Sequence, residues 1–569
     1  MRLQPASMGL ERGAGKGDDA AVARTRIIAA GLVALVAVVF GRAALFEFTT
    51  WDDGLNVYEN PAYVDRTAWS VLSFWRRPYE GLYIPVTYTL WAGVVPAARL
   101  GIPDEHGIGF NPYPFHLLNI GLHALAVLVA WRILRLLVQS DWAAAAGAAL
   151  FAVHPLQVEP VVWISGMRDV LAGLLALLAI WQFLLFAQAR VDDRARWWRY
   201  AAASLACALA MLAKPGAVVT PLLALVPSLY LVWDRRRMVV LSVLPWLAMA
   251  VPVVAVARAA QPSAAELVSV PIGHRPLVAA DALGFYVVKA VWPAGLGPDY
   301  GRTPQSVVSG EMRLMWVAAV VAAAVILAAW GLGHRPALPA VGGAVFVLAL
   351  LPVLGLVPFE FQRISTVADR YAYLAMLGAA TALAGVVARL RPIAGVAAVV
   401  VIGLLAAASL AQLSIWRDSF SLFDHALRIN PRSWISHHNM AVEMARRGRR
   451  QEAIQHYRSA AMLAPVHCRW LSHYKLHHAS IRDGDVLQAE EHWRLMLEDL
   501  PAAQLRGDVN LAKLLAEAGQ VLAEAGRLDL AEATASKLLE AGALGDAAAI
   551  TQLVSQRRAN AATTRSGGQ

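Results

Sequence analysis

The sequence predicts an all-α protein in two parts: a polytopic bundle of transmembrane helices, then a water-soluble run of helical repeats. Three observations carry that expectation. Of 569 residues, 58% are hydrophobic and 16% charged, whereas about a quarter are charged in a soluble globular chain. From about Ile27 to Leu413 the apolar residues gather in stretches near the roughly 20 residues a helix needs to cross hydrocarbon, and none occurs beyond Trp416. Past that point glycines, alanines, aromatics and prolines recur at a fixed period. A chain this apolar can bury itself, which excludes disorder. Its two cysteines, Cys207 and Cys468, exclude a disulfide scaffold. The net charge of +10 belongs to the cytoplasmic loops of a membrane protein, so no nucleic-acid partner is expected.

Eleven runs qualify as spans: 27–46, 113–137, 142–158, 168–189, 196–213, 217–233, 237–257, 314–332, 337–358, 371–388 and 393–413. Short cytoplasmic loops concentrate Lys and Arg, and the basic residues test the count. Arg2, Arg12, Lys16, Arg24 and Arg26 put a tail, 1–26, inside; Arg132 with Arg135, Arg190 to Arg199, Arg235 to Arg237, Arg335, and Arg389 with Arg391 fall on alternate loops. The register holds if 85–100 and 281–293 lie along the outer surface. A cleaved signal peptide is the competing reading of the first run, but its removal near Arg42 leaves the topology without a start. The expected organisation is thus a membrane domain, 27–415, with a large outer loop, 47–112. A repeat domain, 416–555, lies outside the cytoplasm after an odd number of crossings, and a disordered tail, 556–569, follows.

The tail repeats against itself. Gly448, Ala453, Tyr457 and Pro465 recur 36 residues later as Gly484, Ala489, Trp493 and Pro501; Gly526 and Ala531 repeat the first step, and Phe423, Ala426 and Pro431 form an earlier half unit. Gly opening a turn, Ala permitting close helix packing and Pro ending the second helix is the logic of the tetratricopeptide repeat, about three units of which can bury a shared core. Such repeats bind a protein partner or merely stack. His473 and His477, one helical turn apart, have no evident third metal ligand and read as a polar helix face.

The informative polar residues sit at the expected outer ends of the spans. Asp52 and Asp53 follow Thr50 and Trp51 in the first outer loop, before Asn56, Tyr58 and Asn60. A bare Asp-Asp is ordinarily an acidic turn, but adjacent carboxylates beside a membrane repel one another and lose solvation. Two arrangements compensate. A divalent cation, magnesium or manganese, can bridge Asp52 and Asp53 to a phosphate, or one carboxylate can act as general base toward a hydroxyl. His154, Glu159, Arg168, Asp169, Lys214, Asp369 and Arg370 come out on the same side. Each alone is a helix-end or snorkelling charge; converging, the cations make a phosphate site. The stretch 285–300, with Lys289, Trp292, Pro293, Pro298 and Asp299, reads as a turn-rich outer segment, either a lid or an interfacial anchor.

The order of LYIPVTYTLW, FHLLNIGLHALAVL, LFAVHPLQVEPVVWISGMRDVLAGLLALLA, AMLAKPGAVVTPLLAL, LLPVLGLVPFEFQ and ADRYAYLAMLGAA ahead of the repeats resembles the bacterial relatives of the transmembrane and tetratricopeptide-repeat O-mannosyltransferases, members of the GT-C superfamily of polytopic glycosyltransferases. The resemblance implies a GT-C-like membrane domain in a bacterial inner membrane. It also implies inverting transfer of a sugar from a polyprenyl-phosphate carrier to a protein or envelope-glycan hydroxyl on the extracytoplasmic side. It maps the family's acidic motif onto Asp52 and Asp53, as catalytic residues. Its HP, R-D, KP and DRY-like elements map onto His154, Arg168 with Asp169, Lys214, and Asp369 with Arg370 and Tyr371. His154, Arg168, Lys214 and Arg370 would hold the donor phosphate, with Glu159, Asp169, Asp369 and Tyr371 in support. Many members carry Tyr-x-Arg-Pro where this chain has Tyr83-Ile84-Pro85, so the phosphate falls to the remaining cations.

The chemistry suits the residues without the resemblance. A departing glycosyl phosphate gathers negative charge that fixed Arg and Lys stabilise more in the transition state than in the ground state, while a carboxylate on the opposite face takes the hydroxyl proton. A non-catalytic membrane scaffold whose repeats assemble an envelope complex is the alternative. A transporter would carry charges near the bilayer midplane and repeats in its membrane half, and the sequence has neither.

Overall fold

The computed structural model describes residues 12–64, 68–104, 106–190, 193–261, 270–310, 317–324, 337–390, 393–501, 505 and 509–566. Among these there is no β-strand, only two isolated bridges, Tyr79 with Leu82 and Arg99 with Phe110. The chain divides into two compact units, Met1–His425 and Ala426–Gln569.

The main helices of the first unit are α1 (Arg12–Phe40), α2 (Pro85–Ala98), α3 (Tyr113–Val138), α4 (Asp141–Val153), α5 (Met167–Gln188), α6 (Ala195–Ala213), α7 (Thr220–Leu231), α8 (Arg236–Ala260), α9 (Arg275–Val291), α10 (Leu338–Leu350), α11 (Met376–Arg389) and α12 (Ile393–Leu413). Five described helical stretches are long and apolar enough to cross a bilayer: Asp19–Leu45, Tyr113–Val138, Ile164–Gln188, Trp233–Ala260 and Ala394–Trp416. The chain is a multi-pass membrane protein. Shorter apolar helices, Pro215–Leu231, Leu338–Val353 and Met376–Arg389, occupy three more of the expected runs. The 196–213 run is α6, which carries Arg196 and Arg199 in its first turns. The 314–332 run lies largely outside the described residues, as do Arg2, Arg335 and Arg391.

The 142–158 run is not one straight helix. Asp141–Val153 and Pro155–Val162 meet at a bend of 53°. Pro155 has no N–H, which ends the α4 ladder, and His154 Nδ1 accepts from Leu156 N at 3.2 Å to cap the turn beyond. Likewise the stretch 285–300 is helical as far as Val291, the end of α9, and irregular only afterwards.

At the centre of this unit is α5, apolar around its whole circumference and buried along most of its length. It packs against α3, α6 and α7, while α11 packs against α4 and α10. Gly342 of α10 and Gly378 of α11 cross so closely that a methyl on either would collide with the other's carbonyl oxygen. Small residues permitting backbone approach are a common means of packing helices in lipid.

Helix α13 (Ser419–Ile429) crosses the division between units. The second unit contains α14 (Trp434–Arg446), α15 (Arg450–Leu463), α16 (Val466–Asp483), α17 (Val486–Asp499), α18 (Val509–Glu524), α19 (Leu528–Glu540) and α20 (Leu544–Ser566). Gly448, Gly484 and Gly526 turn three successive hairpins at φ of 73°, 74° and 78°, a conformation that favours glycine. Ala453, Ala489 and Ala531 are buried at equivalent points beyond the turns, as are Tyr457 and Trp493. The tail expected to be disordered, 556–569, is helical through Ser566, and 567–569 lie outside the described residues. Ala and Arg are strong helix formers, and α20 packs Ala547, Ile550 and Val554 into the same apolar cluster as Leu530, Ala535 and Leu538 of α19, with Arg558 bridging Asp529 and Glu532 at the surface.

Candidate active site

The first outer loop folds back onto the segment between the bend and α5. Asp53 is 1% exposed. Its Oδ2 accepts from Thr49 N and Oγ1 at 2.9 and 3.0 Å, and its Oδ1 accepts from Ser165 N and Oγ at 3.0 and 2.7 Å. Burial raises its carboxyl to about 6 despite those donors, each of which lowers it. Trp163 Nε1 donates to Trp51 O at 2.7 Å, and Asn56 Nδ2 to Ser165 Oγ at 3.3 Å. A wide turn, Gly54–Tyr58, closes with Glu59 N on Gly54 O at 2.8 Å.

Asp52 contrasts with its neighbour. Its side chain is 50% exposed and lies 3.5 Å from Arg168 Nη2. Its backbone is left-handed, φ 72°, a conformation that Asp tolerates better than most residues yet one that merits notice near a site. The two aspartates therefore hold different partners and do not form a two-carboxylate chelate. Asp53, with four hydrogen bonds already accepted, does not fit the expected metal-bridging role. Among the described residues no group of three or more His, Cys, Asp or Glu side chains is arranged to hold a metal ion.

The cations pair with carboxylates from distant segments. Lys214, following α6, bonds Asp169 of α5 and lies 5.0 Å from the Tyr371 ring centroid. Arg370 donates to Glu159 twice, from N at 3.0 Å and from Nη1 at 2.5 Å. Trp163 carries Arg168 and Arg370 against its ring, at 5.0 and 5.3 Å, a platform that fixes guanidinium planes. Asp169, Lys214, Arg370, Tyr371 and Gly173 help line one cavity of about 50 Å³. Asp369 accepts from Tyr300 Oη at 2.6 Å, and burial followed by the Glu159 carboxylate pushes its carboxyl well above the usual range.

The structure thus joins Asp52, Asp53, Glu159, Arg168, Asp169, Lys214, Asp369, Arg370 and Tyr371 in one connected network. His154 sits apart. It is fully buried, with Nε2 at 3.1 Å from Ala290 O, Nδ1 engaged by Leu156 N, and no place in the cavity lining. Sequence reasoning missed Thr49, Ser165, Trp163 and Tyr300. The only available signal was Ser165 and Trp163 lying inside the WISGMRD stretch, between the two charged motifs.

Fold and site define a polytopic helical membrane protein with a paired-charge cavity at the start of its central helix. Residues 108–259, which include Glu159, Arg168, Asp169 and Lys214, match the family described as dolichyl-phosphate-mannose-protein mannosyltransferase. The chain is 37% identical over 117 residues to protein O-mannosyl-transferase Tmtc2 of Drosophila melanogaster, covering 21% of this chain and 12% of the relative. It is 33% identical over 179 residues to protein O-mannosyl-transferase TMTC1 of Mus musculus, covering 30% and 18%. The matched segments thus span less than a fifth of these relatives. The crystal structure of ArnT from Cupriavidus metallidurans bound to undecaprenyl phosphate aligns at a TM-score of 0.31 and 15% identity, over 93% of this chain and 77% of that one. The family match and the two relatives agree with the resemblance that the motifs carry.

Proposed function

We propose that the chain is a membrane glycosyltransferase that moves a sugar from a polyprenyl-phosphate donor to a hydroxyl of a protein or envelope glycan on the extracytoplasmic side. The observation that carries this reading is the half-exposed Asp52 carboxylate, 3.5 Å from Arg168 and beside the cation-lined cavity. The family match over Glu159 to Lys214 supports it.

Asp52 is the general base. It takes the acceptor proton as the hydroxyl oxygen bonds to the anomeric carbon, the carbon–phosphate oxygen bond breaks, and configuration inverts. Charge gathers on the leaving phosphate, where Arg168 and Lys214 stabilise it. Arg168 carries the most donor capacity, since its bond to Asp52 is long at 3.5 Å. Arg370, held twice by Glu159, supplies fixed positive potential. Asp53 positions Asp52 by clasping the loop to Ser165. A divalent cation here would have Asp52 as its only ligand from the aspartate pair. With the eleven crossings expected from the sequence, this site faces outside the cytoplasm, and the Gly-turned hairpins act as tetratricopeptide repeats that present the acceptor or recruit a protein partner.

The test is Asp52→Asn in the full chain, read by mass spectrometry of glycosylated products. Transfer falls by at least about 100-fold, the contribution of a positioned base, while yield and unfolding temperature hold. Unchanged products from a stably made variant refute the enzyme and leave a membrane scaffold.

A further inference from the structure

The far end of α5 holds a second charged feature. A cleft of about 530 Å³ is lined by Arg196, Asp234, Arg235, Arg236, Arg237 and Met238, which sets four guanidinium groups against one carboxylate. Arg235 is engaged elsewhere, donating to Ala187 O at 3.1 Å and Ala189 O at 2.6 Å, carbonyls at the C-terminal end of α5. Arg196 is 7% exposed, stacked over Phe186 at 4.8 Å, and its buried Nε has no hydrogen-bond partner among the described residues. A buried guanidinium N–H left unmatched beside a cationic cleft is costly, and an anion in the cleft would offset that cost.

The surroundings say which anion. Trp197, Trp198 and Trp233 are 64%, 74% and 56% exposed around the cleft, and exposed tryptophans favour the headgroup level of a bilayer. From the cleft, α8 presents Val240, Leu244, Leu247, Val251 and Val254 as exposed apolar residues at helical spacing, a track for acyl chains. The 22 residues of α5 separate the cleft from Arg168 and Asp169 by about 30 Å, so the cleft is not the donor site. The geometry points to a binding site for the phosphate headgroup of an anionic membrane lipid, in the leaflet opposite the catalytic charges.

The test uses the full chain in nanodiscs of phosphatidylcholine with or without phosphatidylglycerol, reading retained lipid by native mass spectrometry. R236Q/R237Q removes two exposed charges and weakens phosphatidylglycerol retention by on the order of 30-fold, as expected for two interfacial basic residues. R132Q/R389Q, which removes two exposed charges elsewhere, leaves retention within about twofold, the scale of an exposed charge away from the site. R196Q, the buried position, repeats the cleft effect. Equal losses in both double variants reduce the cleft to general surface charge and overturn the site. Inorganic phosphate displacing the lipid headgroup from the wild type moves the ligand to a soluble phosphate and overturns the lipid assignment.

Discussion

The two ends of α5 house positive charge in opposite ways. At the N-terminal end every cation meets a carboxylate: Arg168 faces Asp52, Lys214 bonds Asp169, and Arg370 is held by Glu159. At the C-terminal end Arg196, Arg236 and Arg237 share a cleft with Asp234 alone. Paired charges in a low-dielectric site are preorganised and wait for charge that appears only during reaction. A surplus of cations suits an anion that is always present. The contrast teaches that two basic clusters of one protein can be told apart by the company they keep, which net charge cannot do.

Breaking a pair at the first end should have the largest effect. Glu159→Gln leaves Arg370 buried and unmatched, a loss of about 3–5 kcal/mol, read by thermal unfolding of the full chain. Removing both partners in E159Q/R370Q should cost less than the sum of the single changes; additive costs would mean the pair is not coupled and would erase the contrast. A smaller loss, about 1.5–3 kcal/mol, is expected for Ser165→Ala, which removes one of the donors to the Asp53 carboxylate. Hydrogen exchange in residues 46–60 should rise in that variant, while exchange around the Arg196 cleft should not.

The second unit offers the mildest case, facing imidazoles that burial keeps neutral. His437 faces His456, Nδ1 to Nδ1 at 2.8 Å, and His473 faces His492 in the same way at 3.3 Å. The second pair repeats the first at a displacement of 36 residues. Burial lowers all four imidazoles below the ordinary 6.5, and takes His438 to about 4. The unfolded chain therefore binds protons at a higher pH than the folded one. Stability from these groups is intact above about 6.5 and is lost as pH falls from there toward about 4. Exchange protection in residues 434–499 should weaken across that window; protection that is flat with pH would show the histidines are not held neutral.

Much of the molecule is legible in local pattern. The apolar runs foretell α3, α5, α8 and α12, and the Gly-x₄-Ala step foretells where the hairpins turn, because hydrophobic period and glycine's backbone freedom act over a few residues. The charged motifs are legible as a list. Yet Asp52 and Asp53 are indistinguishable as adjacent letters, and His154, equally suggestive, turns out to cap a bend.

What the sequence by itself determined is the helical class, the positions of the long apolar runs and of the glycine turns, and the inventory of ionisable groups, all properties of composition and spacing. Only the tertiary structure decided that Ser165 would bury Asp53, that Trp163 would carry two guanidinium groups, and that Arg370 would find Glu159 across 211 positions of chain. Desolvation and pairing are set by atoms brought together from distant segments, and no window along the sequence contains both partners.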